Sequence, residues 1–94
     1  MEFKWTIIGD EAVLLAYIGD IAFKMVRVEL LCGRAHIKFS TLHGEKLTPG
    51  GSDHCSMDQS HLALDIDGRI KERYFGHHHD IPSISTSDLF TRGE

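Results

Sequence analysis

Turn-forming residues recur at short intervals along the chain: Gly9-Asp10, Gly19-Asp20, Cys32-Gly33, His43-Gly44, Pro49-Gly50-Gly51, Asp67-Gly68 and Gly76. Punctuation of that kind favours short strands joined by tight turns. The clearest strand between two such points is 34–42, where Ala35, Ile37, Phe39 and Thr41 alternate with Arg34, His36, Lys38 and Ser40. Successive strand side chains point to opposite faces, so one of these sets is core and the other wet. Phe3, Trp5 and Ile7 alternate with Lys4 and Thr6 in the same way and predict an opening strand that ends at Gly9.

Residues 11–31 admit two readings. As a hairpin they run from Ala12 to Ile18, turn at Gly19-Asp20, and return from Ile21 to Leu30. As a helix they set Ile18, Ile21, Met25 and Val28 on one side and Asp20, Lys24 and Arg27 on the other. Gly19 in a helix interior costs about 1 kcal/mol relative to Ala, which favours the hairpin. Further on, Leu62, Leu64 and Ile66 run into Asp67-Gly68, and Arg69, Lys71 and Arg73 then alternate with Ile70, Glu72 and Tyr74. This predicts a second hairpin, over 62–75, with Leu64 opposite Ile70 and Asp65 opposite Arg69. Residues 44–60 read as a long loop.

The fold expected is therefore mainly β: a small antiparallel sheet or barrel-like meander of about five or six strands, with α+β, carrying a helix over residues 12–31, as the alternative. A chain of 94 residues with 41% hydrophobic content supports one core, assigned to residues 1–81, with 82–94 as a Ser/Thr-rich tail.

Fourteen acidic against ten basic residues give a net charge of −4, which disfavours a general nucleic-acid coat and suits a soluble chain or one that meets a basic partner. The start of the sequence lacks the pattern of a secretory signal. The most apolar stretch, 12–31, contains Asp20, Lys24, Arg27 and Glu29 and does not suit a membrane span. A cytoplasmic location is expected, with Cys32 and Cys55 as reduced thiols; a disulfide between them is the alternative in an oxidising compartment.

Seven histidines are the most unusual compositional feature. His54, Cys55, His61, His77, His79 and Asp80 are candidate ligands for zinc, which takes N, S and O donors in a tetrahedron, provided a 62–75 hairpin brings its flanks together. Three consecutive histidines on an extended chain point to alternating sides, so at most two of His77, His78 and His79 serve one ion easily. Cys55 with His54 or His61 as base and Asp58 as orienting group is the only nucleophilic arrangement in view. Arg69, Lys71, Arg73 and Phe75 form a candidate binding face, a basic ladder ending in an aromatic ring, for an acidic protein surface or phosphates. The stretch from Gly44 to Gly51 lacks the order of a phosphate-binding loop.

Leu15-Ala16-Tyr17-Ile18-Gly19-Asp20, followed by Phe23, resembles the signature helix of ribonuclease III-type domains, particularly the mini-ribonuclease III branch. The resemblance implies an all-helical metal-dependent nuclease in which Asp20 is a metal-binding carboxylate. It spans about ten residues, and the strand-like alternation of 34–75 offers no matching second motif. Three functions follow in order: a small binding module acting on another protein, such as an inhibitor, immunity protein or accessory regulator; a zinc-binding domain; and a nuclease. A homodimer through a sheet edge is a further expectation.

Overall fold

The computed structural model describes residues 2–43, 46–58, 61–74 and 80–90. Five strands, β1 (Glu2–Ile8), β2 (Glu11–Ile18), β3 (Ile21–Leu31), β4 (Arg34–His43) and β5 (Lys46–Ser56), are followed by helices α1 (Leu62–Arg73) and α2 (Thr86–Phe90). The strands lie in one antiparallel sheet in the order of the chain, β1-β2-β3-β4-β5. The expected small antiparallel meander is present. It is an open sheet, not a barrel: among the described residues β1 pairs only with β2, and β5 only with β4.

The turns explain the order. Gly9-Asp10 and Gly19-Asp20 are two-residue loops closing the pairs Ile8↔Glu11 and Ile18↔Ile21, each with its glycine at positive φ. The third loop closes Leu31↔Arg34 with both central residues at positive φ, 55° at Cys32 and 74° at Gly33. That is the signature of a type I′ turn, whose twist matches that of the flanking strands.

Residues 11–31 are thus a hairpin, and Asp20 sits in its exposed turn. The helix over 12–31 and the ribonuclease III-type helix that Asp20 belonged to are both absent. A bulge explains why a helical period was visible. The β2–β3 register shifts so that Leu14 faces Val26 while Leu15 faces Lys24, which leaves Met25 as an extra residue. Met25 and Val26 are both buried. One added residue turns a period of two into steps of three and four, and Ile21, Met25 and Val28 then mimic a helix face.

The predicted 62–75 hairpin is helix α1. Leu62, Ile66, Ile70 and, just past the helix end, Tyr74 recur every fourth residue and are all buried, whereas Leu64, needed for the strand pattern, is 69% exposed. The Asp67-Gly68 pair is not a turn: Asp67 is buried, and its Oδ1 accepts the Ile84 N–H at 3.0 Å. The expected loop over 44–60 is largely β5. Its Pro49-Gly50-Gly51 segment is a bulge on an edge strand, where the register passes from Lys38↔Ser52 to Ser40↔Pro49. Proline is tolerated there because an edge strand has no ladder on one side.

One face of the sheet carries the core. Ala12, Leu14 and Ala16 of β2, Val26 and Val28 of β3, Ala35, Ile37 and Phe39 of β4 and Cys55 of β5 pack against the α1 stripe. The 82–94 segment expected as a tail contributes to this core as far as it is described. Ile84 and Leu89 are buried beside Ile81, and the Trp5 indole donates to the Pro82 carbonyl at 2.9 Å.

Candidate functional site

Strand alternation separates the candidate ligands. His54 is exposed on the outer face of β5, whereas Cys55, the next residue, is buried on the inner face opposite Ala35. His61 precedes α1 and is exposed, as is Asp80. His77 and His79, with His78, lie outside the described residues. Among the described residues no three His, Cys, Asp or Glu side chains converge as a metal cage.

The Cys55 arrangement is also dispersed. Both cysteines are unpaired, Cys32 exposed and Cys55 buried. Burial first, and then the neighbouring Asp65 carboxylate, push the Cys55 thiol up to about 11. It is a protonated core group at neutral pH, with the histidine beside it in sequence facing the other way. Asp58 is exposed, and its backbone N–H donates to Ser56 Oγ.

The basic ladder becomes a helix-to-strand clamp. Residues 69–73 are helical, so Arg69 and Arg73 fall one turn apart, and Lys71 projects elsewhere around the helix. Arg69 binds Asp53 on β5 through Nη1 and Asp65 through Nε at 3.3 Å. The Arg69 guanidinium, followed by the His54 N–H, holds the Asp53 carboxyl below its ordinary range. Arg73 donates through Nη1 to the Gly50 carbonyl at 2.6 Å, and its guanidinium carbon lies 4.4 Å from the centroid of the Phe39 ring. The two arginines therefore secure α1 to the edge strand across its bulge. Phe75 lies outside the described residues.

Tyr74 completes that side. Its hydroxyl donates to the Ser40 carbonyl at 2.6 Å, lies 3.1 Å from the Met25 carbonyl and accepts the Ser40 N–H at 3.2 Å. The β3–β4 ladder ends at Val26↔Phe39, so one phenol serves the backbone groups left where the strands part.

The outer face is different in character. Lys4, Lys24, Arg34, Lys38, Ser52 and His54 are exposed on it, and Leu15, Tyr17, Arg27 and Glu29 are half-buried. Val13 is fully buried although it belongs to this face, flanked by Thr6 and Arg27 on the neighbouring strands. Lys38 and Glu11 pair across β3 at 4.0 Å. One lateral row crosses four strands as Glu11↔Glu29, Glu29↔His36 and His36↔His54. The rings of His36 and His54 stack with centroids 6.0 Å apart and planes at 29°. His36 was legible in the sequence only as a wet-face residue of β4. Its partnership with His54 depends on β5 being a strand.

No family model, curated protein or solved structure matches this chain. No helix among the described residues is long and apolar enough to cross a membrane.

Proposed function

We propose that this chain is a small binding module that acts by occupying another protein, in the manner of an inhibitor, immunity protein or accessory regulator, and that the outer face of its sheet is the docking surface. The open outer face is the observation that carries this reading. Five strands of seven to eleven residues, about 4.8 Å apart, offer roughly 700 Å², close to the ~800 Å² that a standard interface takes from each partner. Tyr17 and Arg27 belong to the residue types that anchor such interfaces, and mixed charges surround them.

Charge points to the kind of partner. The whole chain carries −4, but the outer face sets Lys4, Lys24, Arg27, Arg34 and Lys38 against Glu2, Glu11 and Glu29. A basic excess on an acidic protein favours a partner that presents an acidic surface, and steers the approach. This reverses the basic partner suggested by net charge alone.

Affinity isolation from native cells, with wild type beside Arg27→Glu and Tyr17→Ser, tests the reading. It requires one defined protein recovered in stoichiometric amount, lost with both variants, and retained when Leu64→Ser alters the solvent side of α1. A partner retained by both outer-face variants and lost with Leu64→Ser would place binding on the helix and overturn the docking surface. Recovery of no stoichiometric protein would count against the module itself.

A further inference from the structure

We infer that His36 and His54 form a transition-metal site on the outer face, one that bridges β4 and β5. This is independent of the docking proposal. It also differs from the ligand set expected from sequence, because it joins His54 to His36 and leaves Cys55, His61 and Asp80 out.

Three observations support it. The two residues are direct partners in the β4–β5 register, so their Cα atoms stand about 4.5–5.5 Å apart, a spacing from which two imidazoles reach one ion. Their rings already lie side by side at 6.0 Å. Two imidazoles on one tetrahedral ion, with metal–nitrogen bonds of 2.0–2.1 Å, hold their centroids roughly 5 Å apart. Forming the site requires the centroids to approach by about 1 Å and the stacked rings to turn so that one nitrogen of each faces the same ion. Finally, Glu29 is the direct partner of His36 on its other side, in register to offer an acceptor for the second ring nitrogen.

The ligand class follows from the donors. Imidazole suits zinc, copper and nickel, and does not suit magnesium or calcium. Arg34 and Lys38 flank His36 along β4 and oppose a dication, but Glu11 already pairs with Lys38. Two protein ligands leave the ion open to water or to a donor from another molecule. Because β5 is an edge strand, a metal bridge there ties the edge to its neighbour and stabilises the folded chain by linkage.

The test uses untagged full-length protein prepared without metal affinity, titrated with zinc chloride by calorimetry and by NMR of the imidazole nitrogens. The competing histidines are removed in one variant, His77→Ala with His78→Ala and His79→Ala. One zinc per chain should bind that triple variant, shift the ring nitrogens of His36 and His54, and raise its Tm. Adding His54→Ala, an exposed change on an edge strand, should abolish both binding and the rise in Tm. His36→Ala should do the same, with circular dichroism confirming that the sheet is intact. Zinc binding that disappears in the triple variant, or that survives His54→Ala, would overturn the site. So would the absence of saturable binding below about 1 mM zinc.

Discussion

The inner and outer faces of the sheet alternate residue by residue along the same strands, yet they are held by different physics. The inner face is closed by α1 and the segment carrying Ile81, Ile84 and Leu89, and its polar groups are spoken for: Tyr74 serves Met25 and Ser40, and Asp67 serves Ile84. Among the described residues no buried side-chain polar atom lacks a partner. Among the described residues the outer face has one fully buried side chain, Val13, between Thr6 and Arg27, and it carries the Lys38–Glu11 pair. The buried core therefore lies on one face, and the proposed docking surface is the other.

Substitution can sharpen or break that contrast. The largest effect is expected for Ile70→Ala in the core, a loss of about 2–5 kcal/mol in denaturant unfolding, beside a change within ~0.5 kcal/mol for Lys24→Ser on the outer face. Comparable losses would erase the distinction. Tyr74→Phe should cost about 1–3 kcal/mol, because it keeps the ring and strands the backbone groups of Met25 and Ser40.

Cys55 makes the same contrast visible in pH. Its folded pKa, about 11, stands above the ordinary thiol value of 9.0, so the unfolded chain loses its proton first. Stability that is fully present below pH 9 should fall as pH rises towards 11, by up to roughly 2 kcal/mol. Tyr74, also raised by burial, adds to the decline above pH 10. Cys55→Ala should flatten the curve between 9 and 11. Native thiol labelling should modify Cys32 quickly and Cys55 only on unfolding.

The smallest expected effects are gains. A Cβ at Gly68, on the solvent side of α1, meets nothing within 4 Å, and Gly68→Ala should stabilise by about 0.5–1 kcal/mol. Cys32→Asn should add a few tenths of a kcal/mol, because Asn tolerates the positive φ of a type I′ turn better than Cys does. Both are read from Tm.

The meander was legible because its turns are local: Gly9-Asp10, Gly19-Asp20 and Cys32-Gly33 each close a hairpin within two residues. Helix α1 was not, because its signals are shared with strands. Leu62, Leu64 and Ile66 satisfy a period of two as well as half of a period of four, and Asp67-Gly68 looks like a turn until Ile84, seventeen positions later, claims the carboxylate. β5 was obscured by Pro49-Gly50-Gly51, which only an edge position and a bulge accommodate. The candidate site depends on the same two elements. The arginines read as an open ladder are engaged with Asp53, Asp65 and Gly50, and the His36–His54 pair could not be seen without β5.

The claim that one face folds the chain and the other meets a partner is tested most directly by lysine footprinting in extracts of the native cells. Acetylation of each lysine is compared between the purified protein and the protein in extract. Lys24 and Lys38 on the outer face should be protected in extract, with Lys71 on α1 unchanged. Protection confined to Lys71, with Lys24 and Lys38 as reactive as in the isolated protein, would contradict it.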